Sequence, residues 1–304
     1  MTQNWKNGDN ASLLRLASNA SVTVACLLIG VKFAAWLATD SVSVLASLVD
    51  SLMDSAASLI NLLAIRYSLK MADEDHRFGH GKAESLAGIG QACFIAGSAL
   101  VLVIQGVERL TNPLPVKSLA AGVGVMVFAI IATLVLLAIQ RHVIKKTNSA
   151  AIRADSLHYL SDLLTNASTI LALFLSSLGW AIMDPLFSLA IAAVILHGAW
   201  RIGSESFQLL MDRQLPGEHC EQIVTLAQES ENVLGIHDLR TRQSGQTAFI
   251  QLHLELDDRM DLRQAHAVAK EVEKKIIALF PEADVIIHQD PIDLAELAGG
   301  NETG

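Results

Sequence analysis

The chain predicts a multi-pass α-helical membrane protein, six transmembrane helices with both termini cytoplasmic, followed by a C-terminal α+β domain of order αββαβ. Three observations carry this. Six apolar stretches are each long enough to cross about 30 Å of hydrocarbon, for which about 20 residues suffice. Hydrophobic residues make up 52% of the chain, with a mean hydropathy of +0.41, which places much of it in the membrane class. Finally, the charge is uneven: residues 1–213 carry 15 Lys+Arg against 14 Asp+Glu, whereas residues 214–304 carry 7 against 17. The first part is thus near neutral and the second strongly acidic.

In chain order, the apolar stretches are Leu13 to Ala38, Ser41 to Ile65, Leu86 to Leu110, Ser118 to Ile139, Leu157 to Leu178 and Trp180 to Trp200. The connections between them alternate in charge. Lys6 and Arg15 precede or open the first stretch, Arg66, Lys70, Arg77 and Lys82 follow the second, and Arg141, Lys145, Lys146 and Arg153 follow the fourth. By the positive-inside rule these lie in the cytoplasm, along with the tail after Arg201. The opposite connections, at Thr39-Asp40, Asn112-Pro113 and Ser177-Gly179, are nearly free of positive charge. No small-residue cleavage site follows the first stretch, so it reads as a retained anchor helix.

Beyond Leu215 the periodicity changes. Pro216 suits the first turn of a helix running to about Ser230. Ile236 to Gln243 and Thr247 to Asp257 read as a hairpin around Ser244-Gly245. Leu262 to Leu279 is amphipathic, with Val268, Val272, Ile276 and Leu279 on one face, and Ala283 to Asp290 is a last strand. The domain reading is a cytoplasmic N-terminal segment over 1–12, a membrane domain over 13–212, a cytoplasmic α+β domain over 213–291, to which the resemblance described below adds metal binding and dimerisation, and a flexible tail over 292–304.

Two polar interruptions of the apolar stretches carry the chemistry: Asp50-Ser-Leu-Met-Asp54 and His158-Tyr-Leu-Ser-Asp162. Each pair is spaced i, i+4, which puts both side chains on one helix face about 6 Å apart along the axis. A single Asp or His in a span often serves only as an interhelical hydrogen-bond former, as Asn19, Asn61, Asn166 and Gln105 are expected to do. Three carboxyls and an imidazole at similar depth have no such structural use, and ionisable groups at membrane depth are costly unless they act. Asp50 lies nine residues past Ser41, or about 14 Å at 1.5 Å per residue, near the midplane. The ligand types suit a divalent cation. Crowded carboxyls hold protons when no cation is present, and a metal needs deprotonated ligands, so metal and protons compete for one site. Opened to each side in turn, such a site exchanges metal for protons.

Asp73, His76 and His80, in the polar run after the second stretch, form a candidate three-ligand surface site. A third candidate cluster is His237, His253, His266, His288 and Asp290, with His288 and Asp290 on one face of the last strand and His253 opposite the Leu252, Leu254 and Leu256 face of its own. His266 falls on the polar side of its helix.

Other functions fit less well. The acidic tail lacks the basic patch that nucleic acid requires. Cys26, Cys93 and Cys220 are scattered and form no CxxC pair. No HExxH-type motif marks an intramembrane metalloenzyme, and a channel would need a continuous polar stripe. The main rival reading is a membrane-anchored metal sensor without transport, but an anchor has no need of buried carboxyls.

With these residues in view, the chain resembles the cation diffusion facilitator family over nearly its whole length, from Leu13 to Asp290. The resemblance rests on Asp50xxxAsp54, His158xxxAsp162, the run from Asp73 to Glu84, and the histidine-bearing αββαβ tail. It implies a homodimer that exports Zn2+ across the inner membrane in exchange for protons, by alternating access. It further implies a transport site at Asp50, Asp54, His158 and Asp162, a loop site at Asp73, His76 and His80, and a binuclear cytoplasmic site shared by His237, His253, His266, His288 and Asp290 in a metallochaperone-like domain. Lys82 and Asp212 match a salt-bridge interlock of the family's dimer, and Leu157 a hydrophobic gate. No organic cofactor is implied. Many zinc-selective relatives have His where this chain has Asp50, and the harder oxygen ligand suits a site that accepts Cd2+ as well, with Fe2+ or Mn2+ next.

Overall fold

The computed structural model describes residues 7–39, 42–111, 120–177, 180 and 182–293. The expected connections at Asp40, Asn112-Pro113 and Leu178-Gly179, the first six residues and most of the tail lie outside them. Among the described residues the chain divides into two compact units, one ending at Phe207 and the other beginning at Gln208.

The first unit is built on six long helices, α1 (Asn7–Thr39), α2 (Val42–Ser68), α3 (Lys82–Thr111), α4 (Ala120–Thr147), α5 (Ala150–Ser177) and α6 (Met183–Leu210). All but α5 are long and apolar enough to cross a membrane. The fifth has 28 residues, about 42 Å of helix, but Arg153, Asp155, His158, Asp162 and Asn166 dilute its apolar character. The helices also outrun the apolar stretches. The basic segment expected to connect the fourth and fifth is almost entirely helical, leaving only Asn148 and Ser149 between α4 and α5. Asn148 takes φ 49°, the left-handed conformation that ends helices and that Asn tolerates. At the start of α5, Ser149 Oγ accepts from the Ile152 N–H at 3.2 Å, and Glu84, reaching across from α3, accepts from the Ala150 N–H at 2.9 Å. Orphan amides at a buried helix start are thereby satisfied.

Two apolar clusters hold this unit. One joins Leu14 and Ala17 of α1, Ile65 of α2, Val143 of α4, and Ala151 and Ile152 of α5. The other joins Ile95 and Ala99 of α3 to Ile195 and Ala199 of α6, with Leu157 packed against it. Leu157 fits there because α6 offers a glycine: a Cβ at Gly198 would come within 2.8 Å of the Leu157 Cδ2.

The second unit contains α7 (Gly217–Gln228), β1 (Gly235–Ser244), β2 (Thr247–Asp257), α8 (Leu262–Leu279) and β3 (Ala283–Ile292). Pro216 is the N-cap of α7 rather than a member of its first turn. The sheet order is β1-β2-β3, antiparallel then parallel, and the turn of the hairpin uses Gly245 at φ 59°. On one face, Leu252, Leu254 and Leu256 are buried with Ile223 of α7 and Val272 and Ile276 of α8. Leu279 is 40% exposed, and Ala269 is buried instead. The start of α8 is fixed by a capping box between Asp261 and Gln264. With both helices on one face, the alternate residues of the strands are left on the other.

Candidate metal sites

Packing of α2 against α5 joins the two sequence pairs. Ligand atoms of Asp54, His158 and Asp162 lie within 4.8 Å of one another. The His158 Nε2 is 3.2 Å from Asp54 Oδ1 and 3.6 Å from Asp162 Oδ2. His158 is 4% exposed, yet this nitrogen makes no well-aligned hydrogen bond. A buried imidazole nitrogen facing two carboxylates without a well-aligned hydrogen bond to either has the geometry of a cation ligand. Asp50 is outside this group of three and more exposed, although it interacts electrostatically with Asp54 and His158.

The structure adds two charged residues the sequence reading passed over. Asp155, on α5 three residues before His158, is fully buried. Its Oδ2 accepts from Ser21 Oγ of α1 at 2.5 Å and from Gln140 Nε2 of α4 at 2.8 Å. Tyr159 extends this network, donating to the Ser21 carbonyl at 3.1 Å and meeting Ser58 Oγ of α2 at 3.0 Å. Lys32 of α1 reaches α2, its Nζ 2.5 Å from Ser51 Oγ and 3.2 Å from the Ser47 carbonyl. Both were visible as charged residues within or beside apolar runs, a signal that alone warrants attention. The expected polar contacts include Arg66 donating to Asn19 Oδ1 at 3.1 Å and Asn61 donating to the Ala151 carbonyl at 3.4 Å.

In the loop between α2 and α3, Asp73, His76 and His80 also converge. The His76 N–H donates to Asp73 Oδ1 at 2.8 Å and Lys70 Nζ to Asp73 Oδ2 at 3.0 Å. The Lys70 hydrogen bond first, then the His76 amide, holds the Asp73 carboxyl well below the usual carboxylate range. His80 is buried, and its Nε2 lies 3.3 Å from Asp73 Oδ2 without a well-aligned hydrogen bond. His76, by contrast, is exposed.

On the open face of the sheet, register lines up the third cluster. His237 pairs with His253 and His253 with His288, forming a row across three strands; Gly235, Glu255 and Asp290 form the next row. Ligand atoms of His237, His253 and Asp290 meet within 4.8 Å. His253 Nδ1 is 2.8 Å from Asp290 Oδ2, His237 Nε2 3.2 Å from the same oxygen, and His288 Nε2 3.1 Å from Asp290 Oδ1. The His253 hydrogen bond, aided by the positive character of the three imidazoles when protonated, lowers the Asp290 carboxyl from its ordinary value. Glu255, absent from the sequence-derived set, receives His237 Nδ1 at 2.9 Å and so orients that ring. Gly235 makes room for it, since a Cβ there would collide with the Glu255 carboxylate. His266, exposed on α8, is not among the converging ligand atoms. Asp212, at φ 57°, lies 3.4 Å from an Arg242 nitrogen, while Lys82 begins α3.

Acidic groups and an imidazole clustered inside an apolar helical bundle define a class of membrane protein that handles cations. Residues 18–211 match the cation efflux transmembrane domain and residues 215–292 the cation efflux protein cytoplasmic domain. The chain is 50% identical over 292 residues to the cation-efflux pump FieF of Klebsiella pneumoniae, covering 95% of this chain and 97% of that protein. It is equally identical over 293 residues to FieF of Escherichia coli O1:K1 / APEC, covering 95% and 98%. A structure of MamM's C-terminal domain in a nickel form shares 19% identity, covering 26% of this chain and all of that one, with a TM-score of 0.25. The chain belongs to the cation efflux, or cation diffusion facilitator, family, and is an integral membrane transporter of metal cations.

Proposed function

We propose that the protein is a proton-coupled exporter of Zn2+, with Cd2+ and Fe2+ as further substrates, working by alternating access in the inner membrane with both termini in the cytoplasm. The observation that carries this is the meeting of Asp54, His158 and Asp162 inside the membrane unit, with the buried His158 Nε2 facing both carboxylates without a well-aligned hydrogen bond. Asp50 sits next to this group and completes the set when the helices shift. A cation entering the cluster requires the three carboxylates ionised and His158 neutral, so it displaces protons, and protons arriving from the other side displace it. Leu157, beside His158 and packed against α6, is placed to close one side of the path.

Asp73, His76 and His80 serve as a cytoplasm-facing capture site. The histidine row with Asp290 binds metal on the second unit and joins two copies of the chain in a homodimer, with His266 contributed as the tails settle against each other. The FieF relatives are named as cation-efflux pumps, which favours transport over a sensor that merely anchors in the membrane.

The test is calorimetry of Zn2+ binding to the purified full chain near neutral pH, in buffers of different ionisation enthalpy. With Asp73→Ala, His80→Ala, His253→Ala and Asp290→Ala introduced so that the other two clusters do not contribute, a net release of protons is expected that is lost when Asp54→Ala and Asp162→Ala are added. Binding enthalpy independent of buffer would remove the proton coupling.

A further inference from the structure

Lys32 lies in α1 six residues before the end of the apolar span Asn10–Ala38, about 9 Å from its end at 1.5 Å per residue. A lysine so placed can extend its stem towards the membrane surface and keep its ammonium in water. This one instead turns to α2, where its Nζ contacts Ser51 Oγ at 2.5 Å and the Ser47 carbonyl at 3.2 Å. Ser51 is 5% exposed, directly follows Asp50 and precedes Asp54 by three residues. The ammonium interacts electrostatically with Asp54, Asp162 and Asp50. Among the described residues its hydrogen-bond partners, Ser51 Oγ and the Ser47 carbonyl, are uncharged, so its charge is directed to the carboxylate cluster as a whole rather than to one ion pair.

We propose that Lys32 is a resident counter-cation of the transport site, setting how tightly the carboxylates hold a divalent metal. Three carboxylates facing one doubly charged ion leave a single negative charge, which a low-dielectric interior penalises; Lys32 cancels it. The same ammonium repels the incoming metal and so keeps binding weak enough for release. Seated on Ser47 and Ser51 from a different helix, it stays near the site without becoming a ligand. This inference rests on Asp54, His158 and Asp162 being the transport site.

The alternative is that Lys32 only fastens α1 to α2, and the two readings differ in sign. The test uses the full chain in detergent, with Asp73→Ala, His80→Ala, His253→Ala and Asp290→Ala introduced so that the remaining Zn2+ binding reports the membrane site, measured by competition with a chromophoric chelator. In this background Lys32→Gln is expected to tighten Zn2+ binding about tenfold or more, the scale of removing one nearby unit charge from a partly buried site. Lys32→Arg should stay within about threefold of the parent, since it keeps the charge. Unchanged or weakened binding in Lys32→Gln overturns the proposal. If that variant is not monodisperse, Lys32→Met, which fills the same space without charge, gives the same reading. Asp54→Ala in this background separates the two levels: retained Zn2+ binding there rejects the transport-site assignment, whereas lost binding with an unchanged Lys32→Gln rejects the role of Lys32 alone.

Discussion

The membrane cluster and the sheet cluster use the same ligand chemistry in opposite settings. In the bundle, His158 is 4% exposed and meets carboxylates from two helices; on the sheet, the His237 side chain is 47% exposed and that of His288 63%. Buried carboxylates without a countercharge bear a desolvation penalty, which under the proposed transport role protons or a fixed charge offset once the metal has left. Exposed ligands carry no such penalty. On the proposed function, the sheet is therefore free to hold metal as a structural element, whereas the bundle has to let it go.

The sharpest way to break this contrast is to delete a buried ligand. Asp54→Ala or Asp162→Ala is expected to lower Zn2+ flux into vesicles with an imposed pH gradient by more than about 100-fold, since losing even an outer partner of a metal ligand costs about 10- to 100-fold. Normal flux in both would erase the distinction.

A second cut goes beside the site. Asp155→Ala removes the acceptor that Ser21 and Gln140 share; because Ser21 Oγ still reaches the Ala17 carbonyl at 3.1 Å and Gln140 Nε2 still reaches Ser21 Oγ at 3.1 Å, each lost hydrogen bond costs about 0.5–1.5 kcal/mol. The thermal midpoint in detergent should fall, and fall less in Asp155→Asn, which keeps the side chain's shape and one oxygen. Equal midpoints for wild type and Asp155→Ala would show that the network joining α1, α4 and α5 is not what holds them.

On the sheet a smaller effect is expected. Gly235→Ala pushes the Glu255 carboxylate away from His237, and Zn2+ affinity of the cytoplasmic cluster should drop about tenfold, while transport continues. Because only the end of a flexible side chain must move, the domain's thermal stability should change little.

The smallest effect concerns pH. The Asp290 carboxyl is lowered in the fold, so the contacts it makes stabilise the sheet above the ordinary carboxylate value of about 3.9 and are lost as pH falls through the lower folded value. Its carbon chemical shift, followed by NMR, should titrate below that of a free aspartate. A midpoint at or above 3.9 would mean the imidazoles do not face it in solution.

Much of this was legible in the residues themselves. The i, i+4 pairs Asp50/Asp54 and His158/Asp162 follow from helix geometry, which is local, and six apolar stretches follow from the thickness of hydrocarbon. The bounds of α8 and the hairpin turn at Gly245 were set by the capping box and by turn chemistry, again local. Polar flanks hid the helix ends, because a helix continues into water for as long as its amides find partners, as α4 and α6 do.

What only the tertiary structure decided concerns partners far apart in the chain. Nothing near Asp155 in sequence announces Ser21 or Gln140, and nothing near Lys32 announces Ser47 and Ser51. The approach of Asp54 to His158 depends on how α2 packs against α5. Likewise, the parallel register of β2 and β3, set across the crossover of α8, puts His288 beside His253 and Asp290 beside Glu255. The sequence determined which residues could bind a cation and on which face of each element they lie, since helix and strand periods are properties of the local backbone. Packing alone determined which of them meet and which charges sit between them, because electrostatic energy depends on distance and burial, and neither is written in sequence order.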